Sequence, residues 1–240
     1  MLTYLEPGNR VLDVACGTGL LTFKAAARVG AGGEVIGTDI AGQMVATARD
    51  AAAGRGIANV SFARMDAEAQ EFGDSLFDVV LCALGLMYVP DPERAVREFY
   101  RLVRSGGRAG AVVWGHRGRC GWAEIFRIVD ARVQSDVCPM FFRLGTGEAL
   151  HHAFVAAGFV DIIARRLQTR LFFATADEAC EAAFAGGPAS LAYGRFSDST
   201  KAEAHGEYLA SLESYRRGVG YSVPGEFVVI AGTKAASCVS

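Results

Sequence analysis

The sequence predicts an α/β protein built on a doubly wound, mostly parallel sheet, and three observations carry that prediction. Short β-rich runs alternate with helical runs across the first half of the chain. One strand feeds directly into a glycine turn that opens a helix, at Val11-Leu12-Asp13-Val14-Ala15-Cys16-Gly17-Thr18-Gly19. The 240 residues, 51% of them hydrophobic, supply enough core for one large domain.

The elements follow in order. Arg10–Ala15 reads as a strand, and after Gly19 the residues Leu20, Phe23 and Ala27 form a helical stripe that Gly30 stops. Glu34–Asp39 is a second strand, followed by a helix from Gly42 to Ala53 with Gly54 as its stop. Val60–Ala63 and Phe77–Cys82 are strands three and four. Asp91-Pro92 opens the next helix as N-cap and first helical residue, and the helix is expected to run to Arg104, closed by Gly106-Gly107 before the strand Arg108–Trp114.

The second half is less regular. Trp122, Ile125, Phe126, Val129 and Val133 make one helical stripe, and Glu148–Ala157 another, capped by Gly158 before a strand over Asp161–Phe173. Thr175-Ala176-Asp177-Glu178 has the capping-box pattern, and Gly186-Gly187-Pro188 ends the helix it starts. Tyr208, Leu212 and Tyr215 mark a further helix before the last strand, Phe227–Ala231. A single domain over 1–240 is expected, with helical inserts at about 116–146 and 174–222.

Composition narrows the function. Lys+Arg 24 against Asp+Glu 26 gives a net charge of -2, which lacks the basic excess a nucleic-acid binder needs. The longest apolar run, Val79–Val89, is about half the length required to span a bilayer. Met1–Arg10 contains Glu6 and Pro7 and no apolar core of a signal peptide. The six cysteines (Cys16, Cys82, Cys120, Cys138, Cys180 and Cys238) form no C-x-x-C pair, so reduced thiols in a cytoplasmic protein are expected.

Three acids sharpen the glycine turn, which by itself is also what any tight strand-to-helix turn requires. Asp39 ends the second strand, where a carboxylate can accept both hydroxyls of a ribose or cap the next helix. A dinucleotide fingerprint wants a third glycine where this chain has Thr22. Asp13 lies inside the first strand, where dinucleotide folds place an apolar residue. Burying that carboxylate is costly unless amides or a cation satisfy it, and the glycine-loop backbone and a ligand ammonium are the expected partners. Asp66, after strand three, can receive an adenine amine or serve as a loop acid.

Val11–Gly19 with Asp39, Met65-Asp66-Ala67, Phe77-Asp78-Val79-Val80 and the Leu102–Gly107 turn resembles a class I S-adenosylmethionine-dependent methyltransferase, of the group that includes ubiquinone and menaquinone biosynthesis enzymes. Specific motifs cover about 8–115, and looser ones Gly158–Phe159 and Phe227–Lys234. The resemblance implies a Rossmann-like sheet of seven strands, the last antiparallel. It implies methyl transfer from S-adenosylmethionine, with S-adenosylhomocysteine as product, to a small-molecule acceptor.

By position, Ala15, Cys16, Gly17, Thr18 and Gly19 with Asp13 behind them should hold the methionine part. Asp39 should hold the ribose, Ile40 and Met44 should pack on the adenine, and Asp66 and Ala67 should meet its edge. The exit of strand four, Cys82-Ala83-Leu84, should offer a carbonyl to the ammonium, and Cys16 and Cys82 should pack beside the cofactor. Many relatives have histidine where this chain has Met87 and Tyr88, and they carry some tens of residues ahead of the glycine strand, where this chain has ten.

Methyl transfer needs alignment in a dry pocket more than acid–base chemistry. Should the acceptor need a base, His116 past strand five and Tyr88 are the candidates, each with an ordinary loop or packing role as its alternative. His151 and His152 are adjacent on a helix and expected to diverge at the surface, and His205 sits in a polar stretch. No zinc-ligand spacing, nucleophile elbow or Walker lysine is present, and no metal is expected. The arginines at 94, 97, 101, 104 and 108 resemble a phosphate-binding row, but Arg94, Arg97, Arg101 and Arg104 follow helical spacing opposite Val96, Phe99 and Val103, and a solvated outer face is expected.

The inserts are lid candidates, and aromatic residues such as Phe126, Phe142, Phe184 and Tyr193 suit an aromatic or quinone-like acceptor or simply fill a lid core. Two rival readings remain: an NAD-dependent oxidoreductase, against which Asp13 and Thr22 speak, and a non-catalytic nucleoside-binding module. A homodimer is a possible assembly.

Overall fold

The computed structural model describes residues 5–133, 141–187 and 189–236. Cys138, Pro188 and Cys238 lie outside the described residues, as does the start of the Met1–Arg10 segment. The described chain divides into two compact units, one of 1–113, 148–165 and 228–240, the other of 114–147 and 166–227.

In the first unit β1 (Arg10–Val14), β2 (Glu34–Asp39), β3 (Val60–Arg64) and β4 (Phe77–Ala83) form parallel ladders in the order β3-β2-β1-β4, with β5 (Val103–Trp114) parallel to β4. The full path continues through β8 (Gly220–Thr233) to β6 (Val160–Phe173), so seven strands lie on it and the two-residue β7 (Arg216–Arg217) pairs β8 off the path. This is the predicted doubly wound sheet, and its order reverses between β1 and β4. Ligands of open α/β sheets bind outside the carboxyl ends of strands at that reversal.

Alternation along β1 decides what faces what. Val11 packs with Val35, Val79 and Leu81 against Ala25, Ala26 and Val29 of α1 (Leu20–Val29). Asp13, two residues on, points to the same face and meets the first turn of that helix. Phe23 and Phe62 pack edge to face at 5.8 Å over Val45, Ala48 and Ala52 of α2 (Gly42–Gly54).

Asp91 caps α3 (Pro92–Leu102), accepting from the Arg94 amide at 2.9 Å. The predicted arginine face is held by acids: Arg101 pairs with Glu98 and Asp74, and Arg104 with Asp78. The helix stops two residues short of its predicted end, because Val103 is extended and pairs Phe77. Gly106 (φ 73°) and Gly107 then bulge out within the strand, and a Cβ on Gly107 would meet the Asp78 carbonyl at 2.7 Å. The glycine pair serves a β-bulge and not a helix stop. α5 (Ala149–Ala157) ends at Gly158 in the left-handed conformation, as predicted.

The second unit holds both predicted inserts. α4 (Glu124–Asp130) buries Ile125, Phe126 and Val129, and Phe126 joins Trp122, Phe141 and Phe142 in one aromatic cluster. Thr175 caps α6 (Ala176–Cys180), which continues as a π-turn to Ala185; α7 (Ser190–Tyr193) and α8 (Asp198–Leu212) follow, with Tyr208 and Leu212 buried. The last strand starts seven residues earlier than predicted. Gly218 (φ 63°) makes a two-residue turn that pairs Arg217 with Gly220, so the Pro224-Gly225 breaker lies inside a strand.

Candidate functional site

A cavity of about 470 Å³ opens at the carboxyl ends of β1 to β4, wholly within the first unit. That volume falls inside the ~300–1,000 Å³ range of small-molecule sites. Ala15 and Gly17 line it from the glycine turn, Asp39 from the end of β2, Asp66 and Ala67 from the end of β3, and Leu84 from the exit of β4. Ile40 and Met44 add apolar walls that are 62% and 42% exposed, flat surface fit for a ring. Cys16, Thr18, Gly19, Cys82, Ala83 and Asp13 are not among its lining residues. Ala41, Met65, Gly85, Val89 and Pro90 line it although sequence reasoning did not single them out as binding residues.

Backbone geometry shapes this cavity. Ala15 (φ 54°) and Leu84 (φ 61°) are both left-handed without being glycine, a conformation that costs of order 1–3 kcal/mol. Gly85 lets Ala15 and Cys82 pack against it: a Cβ there would come within 2.4 Å of the Ala15 Cβ and 2.9 Å of the Cys82 Sγ.

Asp39 holds the turn. Its Oδ2 accepts from the Gly17 amide at 2.8 Å and its Oδ1 from the Ala41 amide at 2.9 Å. The N-cap of α2 is Ala41, so Asp39 organises the entry to that helix without capping it. Each carboxylate oxygen has a further lone pair, which leaves acceptor capacity toward the cavity. Asp66 accepts from the Glu68 amide at 2.9 Å, a turn-forming bond of the kind the loop-acid reading expects.

Asp13 is 1% exposed and lies behind the turn. Its Oδ2 accepts from the Thr22 hydroxyl at 2.6 Å, and the Thr22 amide is the second donor. The partner is therefore the first turn of α1 and not the glycine-loop backbone. Thr22, read in the sequence only as a missing glycine, is the residue that accommodates the acid. Burial pushes the Asp13 carboxyl from 3.8 up to about 7, with the Thr22 bonds pulling back and the nearby Asp39 adding to the rise.

The sign of the resulting pH effect follows. Between pH 4 and 7 the folded chain keeps a proton that the unfolded chain has lost, so stability should fall as pH rises, by about 1.4 kcal/mol per unit. Urea midpoints across pH 4.5–7.5 should show that decline in the ligand-free protein, and Asp13→Asn should flatten it. An identical slope in both would mean that Asp13 is not the group responsible.

The two base candidates sit in different units. Tyr88 lines the cavity at 56% exposure, and its phenol is pushed above its ordinary value by burial, so it keeps its proton at neutral pH. His116 is exposed in the second unit, and its Nδ1 accepts from the Gly118 amide at 3.1 Å. That bond occupies the lone pair a neutral imidazole would use as a base. Cys16 is half-buried and Cys82 buried, both with thiols pushed up by burial, Cys82 to about 12, so neither is a nucleophile.

A second buried acid escaped the sequence reading. Glu226 is 0% exposed on β8, and its carboxylate accepts from the His116 amide, Arg119 Nη1 at 3.1 Å, Arg166 Nη1 at 2.9 Å and Gln168 Nε2 at 2.9 Å, all within the second unit. The signal was available, being the one that drew attention to Asp13: a lone acid in an apolar strand. Nor do His151 and His152 simply diverge at the surface. His152 is exposed, but His151 is half-buried, and both present donor atoms to Glu148.

Residues 11–107 match the model of a family described as a methyltransferase domain. The match covers the strands, turn and acids around the cavity, and over this stretch the chain is similar to the methyltransferase domain of that family. Over 108 residues the chain is 47% identical to the ubiquinone/menaquinone biosynthesis C-methyltransferase UbiE of Ectopseudomonas mendocina, covering 45% of this chain and 42% of that protein. For the enzyme of the same name from Idiomarina loihiensis the figures are 45% over 102 residues, 42% and 41%.

The matched segment thus spans less than half the length of these curated relatives. Among solved structures, the YcgJ protein of Bacillus subtilis superimposes with a TM-score of 0.65 at 20% identity, covering 98% of this chain and 94% of that one. Phosphoethanolamine N-methyltransferase 2 of Haemonchus contortus, solved with S-adenosylhomocysteine, gives 0.64 at 20% identity, covering 98% and 50%. The [4+2]-cyclase SpnF gives 0.62 at 24%, covering 98% and 79%. These likenesses show the fold. They host different reactions on it, so the reaction must be argued from the site.

The cavity fits S-adenosylmethionine. A buried acid lies behind the glycine turn, a second with spare acceptor capacity stands at its rim, and apolar side chains lie exposed beyond it.

Proposed function

We propose that the chain transfers a methyl group to a small apolar acceptor, aromatic or quinone-like, with S-adenosylmethionine as donor. The observation that carries this reading is the cavity at the sheet reversal, with Asp39 at its rim and Asp13 behind its turn. The bound donor supplies an already activated methyl on a sulfonium. What remains for the protein is binding, orientation and exclusion of water.

Asp39 accepts from the ribose hydroxyls, Ile40 and Met44 pack against the adenine, and Asp66 and Ala67 meet its edge. Asp13 keeps Thr22 and the turn in register behind the methionine end, while the Cys82-Ala83-Leu84 exit faces the ammonium. Tyr88, protonated, orients the acceptor as a hydrogen-bond donor and has no part as a base. The acceptor class is supported by the similarity to ubiquinone/menaquinone biosynthesis C-methyltransferases and by the aromatic content of the segments 116–146 and 174–222. These segments follow the site strands in the chain and are assigned to acceptor binding, as a lid within a single functional domain.

Thermal unfolding with S-adenosylhomocysteine, S-adenosylmethionine and NAD in parallel tests the donor. Ligand at about a hundred times its Kd adds roughly 2.7 kcal/mol, or on the order of 5–10 °C for a domain of this size. A shift with both sulfur nucleosides and none with NAD is expected, and a shift with NAD alone would overturn the proposal. Transfer of labelled methyl to a hydroquinone then separates an enzyme from a binding module.

A further inference from the structure

We propose that Glu148, His151 and His152 bind one divalent transition-metal ion of the zinc, cobalt or nickel class, at a site apart from the cofactor cavity. The three residues stand at i, i+3 and i+4 at the start of α5, the spacing that brings side chains onto one helical face. Each offers one ligand atom, and these atoms all lie within 4.8 Å of one another. A divalent ion bound at about 2.0–2.2 Å to nitrogen and oxygen needs its ligand atoms at most about 4.3 Å apart. Small side-chain rotations close that difference.

A second observation is independent of the spacing. His151 Nδ1 is buried and has no hydrogen-bond partner. A buried polar atom left unpaired is destabilising, and ligation through this nitrogen would satisfy it. The scaffold beneath the three side chains is fixed: Leu150, Ala153 and Phe154 are buried, and Phe154 packs on Phe159 at 5.0 Å.

The donor set selects the ion. Two imidazoles and one carboxylate suit zinc, cobalt or nickel, whereas calcium and magnesium demand mostly oxygen. Three protein ligands leave coordination positions open to water, so the ion is exchangeable. The positive end of the helix opposes a cation, which the Glu148 carboxylate offsets. The site shares no residue with the cofactor cavity.

Titration of the full chain with cobalt(II) tests the proposal by visible absorption, with calorimetry for stoichiometry. One ion per chain is expected, with a nitrogen- and oxygen-ligand spectrum and no intense thiolate charge-transfer band. Glu148→Gln and His152→Gln, both at exposed positions, should each weaken binding by about tenfold or more while leaving the circular dichroism and melting temperature unchanged. His205→Gln, outside the group, should leave cobalt affinity as it was. Absence of saturable binding, a thiolate band in place of the expected spectrum, or full affinity in either Glu148→Gln or His152→Gln would overturn it.

Discussion

Glu226→Gln is expected to lower the melting temperature by roughly 6–12 °C, the equivalent of about 3 kcal/mol in a chain of this size. The acid is fully buried and receives four donors, two of them guanidinium groups. Glutamine keeps the shape, but it turns donor hydrogens toward donors and removes the negative charge that Arg119 and Arg166 share. Either arginine can swing toward water, being 60% and 36% exposed, whereas the His116 amide and the Gln168 side chain are left facing the amide. Arg119→Met should therefore cost less than Glu226→Gln.

The pH dependence has a defined sign. Burial raises the Glu226 carboxyl, but the His116 amide, Arg166 and Arg119 outweigh it and hold it below its ordinary value. Its contribution is present above the unfolded carboxyl value of about 4.3 and is lost as pH falls through the folded one. Thermal scans between pH 3 and 7 should show a steeper acid limb in the natural chain than in Glu226→Gln. Equal melting temperatures at pH 7 would show that the cluster is ornamental to stability.

Asp39→Ala should weaken S-adenosylhomocysteine binding by about 10²-fold. Two hydrogen bonds from ribose hydroxyls to a carboxylate contribute about 3 kcal/mol together, and every 1.4 kcal/mol is tenfold in Kd. The change also frees the Gly17 and Ala41 amides, so the turn that frames the cavity loses its tether. Asp39→Asn keeps one acceptor and should fall between the two. Calorimetric titration reads the effect, and an unchanged Kd in Asp39→Ala would remove the ribose from this carboxylate.

Most of the first unit was legible because local signals and tertiary demands agree there. The strands Glu34–Asp39 and Phe77–Cys82, the Asp91 cap and the Gly158 stop all stand where propensity and turn chemistry put them. Disagreement arose where one residue type serves two purposes. Gly106-Gly107 reads as a helix stop, yet pairing of Val103 with Phe77 ends the helix earlier and gives the glycines to a bulge. Pro224-Gly225 reads as a break, but the hairpin at Gly218 starts the strand upstream of it.

At the site, the cavity-lining acids and the small residues of the turn were legible. Partners at long range were not. Thr22 answers Asp13 only once α1 folds over β1, and the donors to Glu226 come from two separate stretches of chain, 116–119 and 166–168. Gly85 is invisible as a functional position until the left-handed Ala15 brings its methyl within reach. His151 and His152 read as divergent when considered alone, and only Glu148, one turn earlier, gathers them.

The two-piece make-up of the second unit bears on how that unit can be exchanged between chains. Its pieces, 114–147 and 166–227, are separated in the gene by the stretch encoding α5 and the start of β6. Glu226 comes from the later piece and takes donors from His116 and Arg119 in the earlier one. A recombination event that exchanged either piece alone would strand a buried carboxylate or its cations. Exchange of this unit by shuffling therefore requires paired crossovers, and drift by point substitution on both pieces is the less obstructed route.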